Sequence, residues 1–345
     1  MPTRMAILDD WEGAAADLVD WPAELPHLAV EVFTDHAADL DTLAARLAPF
    51  DIVLLMRERT PVPRELLTRL SRLRLVVTTG MRNASIDLGA ADERGVVVCG
   101  TPGLQWAAPE LAWALIFALA RQIPRADASM HAGRWEPRLG TELHGSTMGI
   151  LGLGRLGSQV AAVARALGMH LVAWSPHLTA ERAAAEGATL VGKRELFECS
   201  DVISVHMVLT GATRGLVGAE EIAAMKETAY LVNTSRGPLV DQTALLAALH
   251  DGRIAGAGLD VYDEEPLPAD HPLRSAPRTV LTPHLGYVTR STFQSFYRHA
   301  VEDVRAFLAG APIRLLTGGT AGASRIPGRN GSGTGTEEGD AEPGP

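Results

Sequence analysis

The chain has 345 residues and a formal net charge of −10. This length exceeds that of an ordinary single domain, so two domains with separate cores are expected. No lysine or arginine tract is dense enough to follow a phosphate backbone, which argues against a nucleic acid or an anionic membrane as a partner. Two cysteines, Cys99 and Cys199, form neither a disulfide framework nor a structural zinc site, so no metal is expected and a reducing cytoplasm fits.

Strand and helix patterns alternate over the first hundred residues. The runs RMAILDD, DIVLLMRE, LRLVVTTG and GVVVCG predict strands, and DTLAARLAPF and PRELLTRLS predict helices between them. Asp9 and Asp10 occur before the apolar core of a signal peptide could form. The first run is therefore interpreted as a strand, and no export is expected. This rhythm is typical of a parallel sheet covered on both faces, so residues 1–100 are predicted to form one α/β unit.

An apolar helix is predicted from Glu110 to Arg121, with the sequence ELAWALIFALAR. It is much shorter than the roughly 20 residues that cross a bilayer, so no membrane span is expected. Because nearly every side is apolar, the helix must be buried in a core or in a subunit interface. Partial burial against a second subunit is favoured, which makes the segment near 108–140 a dimerisation helix and arm and predicts a homodimer.

A second alternation begins at Met148 and continues through HLVAWS, DVISVHM, AYLVNTS, AGAGLDV and TVLTPH. It predicts a second doubly wound domain over residues 101–290. After Ser291, an amphipathic helix within 291–312 is predicted to pack back onto the first unit and complete it. The tail at 317–345 consists largely of Gly, Ser, Thr, Pro and acidic residues and is predicted to be disordered.

The segment GILGLGRLG carries glycines at the G-x-G-x-x-G spacing, after a predicted strand and before a predicted helix. In a dinucleotide site, Gly152 permits a tight turn, Gly154 lets the backbone approach a pyrophosphate, and Gly157 lets the helix pack close to the strand. The amides of Arg155 and Leu156 at the helix start then favour the phosphates. A glycine-rich turn without a ligand is the competing interpretation.

The third part of the dinucleotide pattern is missing. An acidic residue is expected at the end of the next strand to hold the ribose diol of NAD, but HLVAWS ends on Ser175. Pro176 and His177 follow, so no arginine is present there to hold the phosphate of NADP. NAD is the expected cofactor, and NADP is left open.

Three later segments place polar residues at the carboxyl ends of predicted strands, where open α/β sheets bind ligands: LVNTSRGPLVD, GAGLDVYDEEPL and VLTPHLGYV. Each alone has an ordinary explanation as a turn, an acidic loop or a loop histidine. Together they supply an arginine, a carboxylate and a histidine. This set can hold the carboxylate of a 2-keto acid and transfer a proton to its carbonyl oxygen.

From Leu75 to Leu308 these motifs resemble, in order and spacing, the D-isomer-specific 2-hydroxyacid dehydrogenases, which include 3-phosphoglycerate dehydrogenases and glyoxylate reductases. The resemblance implies an α/β fold of two doubly wound parallel-sheet domains with a cleft between them. One is a flavodoxin-like substrate domain and the other a Rossmann dinucleotide-binding domain. It also implies an NAD(P)-dependent oxidoreductase that interconverts a 2-keto acid and a D-2-hydroxy acid, a small-molecule substrate.

The resemblance assigns the catalytic roles. Arg236 is expected to bind the substrate carboxylate, and His284 is expected to act as acid and base, paired with Glu265. Asp263 and Glu264 do not match the motif position and are expected to be solvated. Further cofactor contacts are implied at His206, Thr213, Thr234, Ser235, Asp260 and Gly286.

The substrate side is expected in the segment TTGMRNASID, where the amides of Gly80 and Met81 are the implied donors to the substrate carboxylate. Arg82 is not usual in the family and is interpreted either as a contact to a second anionic group or as a surface arginine. Together with the segment RERT at 57–60, it hints at an anionic or polar substrate tail. Gly100 stands where the family usually has asparagine.

Two other functions are compatible with the same motifs. A related corepressor group has this fold and senses dinucleotides through partner binding, and it can retain the arginine, the acid and the histidine. Formate and phosphite dehydrogenases resemble the same fold with a different hydride donor. Tight NADH binding without turnover on 2-keto acids would favour the binding protein.

Overall fold

The computed structural model describes residues 2–37 and 39–316. The chain divides into two compact units. Unit 1 comprises the chain up to Gly103 and the chain from Phe293 onward, and unit 2 comprises Leu104–Thr292. The tail predicted to be disordered, at 317–345, lies outside the described residues.

Strands and helices alternate along both units. The strands are β1 (Thr3–Ile7), β2 (Leu28–Val32), β3 (Ile52–Leu55), β4 (Leu75–Thr79), β5 (Val97–Thr101), β6 (Thr147–Leu151), β7 (His170–Trp174), β8 (Thr189–Leu190), β9 (Val202–Val205), β10 (Tyr230–Asn233), β11 (Gly256–Leu259) and β12 (Thr279–Leu281). The α-helices are α1 (Ala14–Leu18), α2 (Trp21–Glu24), α3 (Leu40–Leu47), α4 (Arg64–Arg69), α5 (Leu88–Glu93), α6 (Ala107–Ala120), α7 (Ile123–His131), α8 (Arg155–Ala166), α9 (Ala180–Ala185), α10 (Lys193–Cys199), α11 (Ala219–Ala224), α12 (Gln242–Asp251) and α13 (Arg290–Leu308).

Unit 1 contains a five-stranded sheet in the order β2-β1-β3-β4-β5, and its paired strands are parallel. The strands β3, β4 and β5 are largely apolar and fully buried, as expected for strands covered on both faces. The helix predicted after Ser291 forms as α13, and its buried Tyr297 donates a hydrogen bond to Asp10 at 3.0 Å. Tyr297, which is 287 residues away from Asp10 in sequence, therefore anchors the segment that follows β1.

Unit 2 contains a seven-stranded parallel sheet in the order β12-β11-β10-β9-β6-β7-β8. From β6 the chain first builds outward through β7 to the short edge strand β8, and then returns to build the other side from β9 to β12. The carboxyl ends of β6 and β9 therefore flank the point where the strand order reverses, which is where such sheets bind ligands. The predicted fold class, with two doubly wound parallel sheets, is confirmed.

Helix α6 contains most of the apolar segment for which burial was predicted. Leu115 and Leu119 lie against β11, where a Cβ added to Gly258 would stand within 3.2 Å of either side chain. Small residues in β11 thus allow the helix to approach the sheet. The helix is buried mainly within its own unit, while Phe117 is 37% exposed. Among the described residues, no helix is both long and apolar enough to cross a membrane.

Candidate functional site

The glycine loop, Gly152–Gly157, joins β6 to α8 at the carboxyl edge of the unit 2 sheet. Gly152 has a φ of +104°, and a Cβ there would stand 2.7 Å from the carbonyl oxygen of His206. A Cβ on Gly157 would overlap the carbonyl oxygen of Gly152. Only glycine at these two positions lets the turn close and the helix begin this near the strand.

The middle glycine of this loop has a different surrounding. Gly154 precedes the first residue of α8, and a Cβ added to it would meet no atom within 4 Å. The predicted phosphate donors, Arg155 and Leu156, lie in the first turn of α8, where backbone amides have no partner within the helix. An open glycine backbone at a helix N-terminus fits a dinucleotide pyrophosphate.

Ser175 follows β7 and braces the glycine loop. Its Oγ accepts a hydrogen bond from the amide of Leu153 at 3.1 Å, and the carbonyl of Trp174 accepts one from Gly152 at 2.8 Å. The hydroxyl is neutral, so this position brings no negative charge that would repel a ribose phosphate. The residue predicted to mark the cofactor preference therefore also supports the glycine loop.

Two further predicted cofactor residues lie just beyond β9. His206 Nε2 is 2.8 Å from Ser204 Oγ, and desolvation lowers the pKa of His206 to about 4, so the imidazole is neutral at pH 7. Thr213 Oγ1 donates to the carbonyl of Val208 at 2.7 Å and accepts from the amide of Thr210 at 2.8 Å. Thr213 therefore shapes the turn that follows His206.

The second candidate region is the β10–β12 edge, formed by the loops after β10, β11 and β12. These strands are neighbours, and their register places Asn233 opposite Leu259 and Leu259 opposite Leu281. Arg236 and His284 each follow three residues after one of these aligned strand ends. The structure thus brings the predicted arginine and histidine to the same edge of one sheet.

The turn after β10 is organised by a buried side chain. Asn233 Oδ1 accepts from the amide of Ser235 at 3.0 Å, and its Nδ2 donates to the carbonyl of Arg236 at 2.8 Å. Ser235 Oγ donates to the carbonyl of Val205 at 2.7 Å, which ties the turn to β9. Thr234 and Arg236 are half-buried. Asn233 was not among the residues predicted, although asparagine before a turn is a signal for such side-chain bonding.

Asp260 is fully buried and holds the loop after β12. Its Oδ1 accepts from the Thr282 hydroxyl and from the amide of Leu285, both at 2.6 Å, and its Oδ2 accepts from the amide of Gly286 at 2.8 Å. Burial raises the pKa of Asp260 above its ordinary value, and these hydrogen bonds and His284 act in the opposite direction. Asp260, a predicted cofactor contact, therefore also fixes the backbone that follows His284 and the side chain of Thr282 before it.

His284 and Glu265 form a close pair. His284 Nδ1 lies 2.5 Å from Glu265 Oε2, and the imidazole packs edge-on against Tyr287 with ring centroids 5.5 Å apart. His284 has a φ of +55°, an unusual backbone conformation for histidine. Asp263 and Glu264 are exposed. Because the carboxylate engages Nδ1, the other ring nitrogen, Nε2, is available for a substrate.

Tyr262 links the parts of this edge. Its amide donates to Glu265 Oε1 at 2.8 Å, and its buried hydroxyl lies 3.1 Å from the carbonyl oxygen of Leu259 and 2.9 Å from that of Thr282. A Cβ added to Gly237, next to Arg236, would overlap the backbone of Tyr262. Neither Tyr262 nor Gly237 was predicted, since their contacts are long-range and leave no local pattern.

Unit 1 carries the predicted substrate loop, residues 80–82. Gly80 has a φ of +123°, and a Cβ there would overlap the guanidinium of Arg57. The amide of Gly80 donates to Thr101 Oγ1 at 3.3 Å, so this expected carboxylate donor already has a partner. Met81 is 44% exposed and Arg82 is exposed. The expectation of amide donors therefore rests mainly on Met81.

Two residues of the segment RERT form hydrogen bonds to other residues of unit 1. Arg59 donates to both carboxylate oxygens of Glu12, at 3.0 and 2.6 Å, and Thr60 donates to Asp9 Oδ2 at 2.5 Å. These contacts explain the two residues structurally. Of this segment, Arg57 is the residue that lies against the substrate loop.

The chain is similar in sequence to known proteins. Residues 113–286 match the family model described as D-isomer specific 2-hydroxyacid dehydrogenase, NAD binding domain. A glyoxylate reductase from Aeropyrum pernix is 41% identical over 256 residues, covering 71% of this chain and 76% of that protein. A D-3-phosphoglycerate dehydrogenase from Synechocystis sp. is 39% identical over 264 residues, covering 76% of this chain and 48% of that protein.

The solved structures agree with the sequence matches. A phosphoglycerate oxidoreductase from Vibrio cholerae superposes with a TM-score of 0.86 at 36% identity, covering 90% of this chain and 100% of that one. The chain spans about half the length of the curated D-3-phosphoglycerate dehydrogenases that it matches. The match to an NAD-binding domain confirms the expected cofactor. The chain belongs to the D-isomer specific 2-hydroxyacid dehydrogenase family.

Proposed function

We propose that this protein interconverts a 2-keto acid and the corresponding D-2-hydroxy acid with NAD(H). The observation that carries the proposal is the 2.5 Å contact between His284 and Glu265 on the same sheet edge that presents Arg236. A histidine held by a carboxylate and accompanied by an arginine suits proton transfer on an anionic substrate. The glycine loop on the same sheet fits the dinucleotide.

Arg236 binds the substrate carboxylate in this proposal. Its planar guanidinium offers paired donors that match a carboxylate, and Asn233 and Ser235 hold the turn that carries it. The positive charge also attracts electron density toward the carbonyl oxygen beside the carboxylate. Binding and polarisation therefore come from the same side chain.

His284 moves the proton. Glu265 accepts a hydrogen bond from Nδ1–H, which orients the ring and stabilises the charged imidazolium, so Nε2 faces the reaction. During reduction, Nε2 gives its proton to the carbonyl oxygen that becomes the hydroxyl. During oxidation, the neutral Nε2 takes that proton back. The bound nicotinamide supplies or accepts the hydride.

The decisive experiment is an NADH-oxidation assay on a panel of 2-keto acids. The panel compounds share the reacting 2-keto acid group and differ in the substituent attached to it: glyoxylate, hydroxypyruvate, pyruvate, phenylpyruvate and 3-phosphohydroxypyruvate. Turnover on any member supports the proposal, and a preference for the phosphorylated compound supports the expected anionic substrate tail. Tight NADH binding with no turnover across the panel would refute the dehydrogenase and favour the dinucleotide-sensing alternative.

We also propose that the protein binds NAD(H) and tolerates NADP(H). Ser175 places a neutral hydroxyl where an acidic residue would hold a ribose diol and repel a 2′-phosphate. The variant Ser175→Asp should weaken NADPH binding by about tenfold and leave NADH binding nearly unchanged. Equal effects on both cofactors would show that Ser175 acts only through its bond to Leu153.

A homodimer is the proposed assembly. Exposed apolar side chains concentrate in residues 104–139, where Trp106 is 64%, Trp135 is 82% and Leu139 is 94% exposed. Such a patch is usual at an interface and unusual on a monomer. Light scattering should report a dimer for the wild type and a monomer for the double variant Trp135→Glu, Leu139→Asp. The variant Val163→Glu, at a position of helix α8 that is 40% exposed, is the control and should stay dimeric.

The cytoplasm is the proposed compartment. Cys99 and Cys199 are both free thiols, and burial raises the pKa of Cys99 to about 12, so it stays protonated. Cell fractionation of the tagged protein tests this location. Recovery in an extracytoplasmic fraction would contradict it.

A further inference from the structure

The chain returns to the unit 1 sheet after α13. Residues 311–316 are here called the C-terminal strap, and its residues 314–316 run antiparallel beside β5. The amide of Gly100 donates to the carbonyl of Arg314 at 3.0 Å, and the amide of Leu316 donates to the carbonyl of Val98 at 2.8 Å. The strap thus adds an antiparallel contact to the end of an otherwise parallel sheet.

Arg314 fastens the strap to α13. Its Nε donates to Asp303 Oδ1 at 2.9 Å, one Nη donates to Glu302 Oε2 at 2.9 Å, and the other donates to the carbonyl of His299 at 2.8 Å. Asp303 is fully buried, and burial raises its pKa to about 7 against the opposing charge of Arg314. Arg314 has a φ of +51°, so its backbone is held in an unfavourable conformation by these contacts.

The strap meets the substrate loop at Gly100. A Cβ added to Gly100 would stand 2.6 Å from the carbonyl oxygen of Gly80, 3.2 Å from Met81 Cα and 3.2 Å from Leu316 Cδ1. The strap side chain and the loop backbone therefore contact the same small volume. This crowding also explains why position 100 carries no side chain here. Motion of the strap transmits directly to the loop because protein interiors leave no slack at such contacts.

We propose that Arg314 is a positioning residue for the substrate loop. By bonding to α13, it holds the strap carbonyl on Gly100 and holds Leu316 against it, which fixes the backbone of Gly80 and Met81. Arg314 acts through these contacts and does not touch the substrate. The effect on catalysis rests on the proposed function and on the expectation from the sequence that the amides of this loop contact the substrate.

Hydrogen exchange of the full chain tests the mechanical part without any activity. The variant Arg314→Met keeps the aliphatic stem and removes the bonds to α13, so amides in residues 78–85 should exchange at least about fivefold faster. The matched control is Arg305→Met. Arg305 lies on α13, the helix to which Arg314 bonds, but its own bonds go to Glu24 at an exposed site. Unchanged exchange in 78–85, or equal acceleration in the control, would overturn the proposal.

Kinetics test the consequence. Arg314→Met should raise KM for the 2-keto acid about tenfold, with kcat and the Kd of NADH changed less than about threefold, because the variant disturbs substrate binding only. Leu316→Ala should give the same pattern more weakly, and it serves if Arg314→Met folds poorly. Faster exchange with an unchanged KM would overturn the positioning role. A wild type without turnover would refute the proposed function, and the exchange experiment would still decide whether Arg314 holds the loop.

Discussion

The glycine loop and the β10–β12 edge lie at the same carboxyl edge of one sheet, but they are built in opposite ways. In the glycine loop, the backbone closes because Gly152 and Gly157 have no side chains. At the β10–β12 edge, side chains such as Asp260 and Tyr262 bind the backbone of neighbouring loops and hold them in place. The glycine loop depends mainly on the absence of side chains, with a brace from Ser175, and the β10–β12 edge depends mainly on bonded side chains, with one close backbone approach at Gly237.

This difference should determine how each region responds to a substitution. A Cβ added at Gly152 or Gly157 collides with backbone, which cannot rotate away, so a single methyl group there displaces the turn. A bond removed from the β10–β12 edge leaves others in place, because Asp260 and Tyr262 both reach the segment before Gly286. Damage at that edge is therefore graded, except where the reacting group itself is removed.

The largest expected effect comes from removing that group. His284→Ala should lower kcat by about 10³-fold, because no other side chain of this edge holds a proton at that position. The Kd of NADH should change less than about twofold, since the glycine loop is untouched. Steady-state kinetics and NADH fluorescence titration measure the two quantities. Turnover near the wild-type rate would show that another residue is the acid.

The next effect breaks the other region. Gly157→Ala should raise the Kd of NADH about 100-fold and destabilise the protein by about 1–3 kcal/mol, because its Cβ would overlap the carbonyl of Gly152. Gly192→Ala is the control: Gly192 also precedes a helix, but a Cβ there meets no atom within 4 Å. Titration and urea unfolding check both. Normal NADH binding by Gly157→Ala would show that the loop can relax.

The sequence predicts these two regions unequally. The glycine spacing and the apolar strand runs are local patterns, so the parallel sheets and the glycine loop follow from them. Arg236, Glu265 and His284 were named through motifs that resemble a known family. Their supporting contacts were not predicted: Tyr262 bonds to Thr282 across 20 residues, and Asp260 bonds to Gly286 across 26 residues. Such pairings depend on strand order, which periodicity does not report.

A smaller effect tests the connection between loops at the β10–β12 edge. Gly237→Ala should lower kcat about 10- to 50-fold, because its Cβ would push the Tyr262 backbone that donates to Glu265. NADH affinity should stay within about threefold of the wild type. Gly89→Ala is the control, since a Cβ there makes only ordinary contact, at 3.5 Å, with Asp87. A kcat equal to that of the control would mean that Arg236 and Glu265 are positioned independently.

The smallest effect is expected for Tyr262→Phe, which tests most directly whether the β10–β12 edge differs from the glycine loop. Tyr262→Phe keeps the ring and the amide that binds Glu265, and removes only the hydroxyl near the carbonyls of Leu259 and Thr282. Losing this bond should cost about 1–2 kcal/mol of unfolding free energy. The kcat should fall only about two- to fivefold, because Asp260 still holds the loop of His284 from the other side. Urea unfolding measures the loss of stability, and steady-state kinetics measure the fall in kcat. A loss of kcat as large as that of Gly237→Ala would show that this edge lacks redundancy and resembles the glycine loop after all.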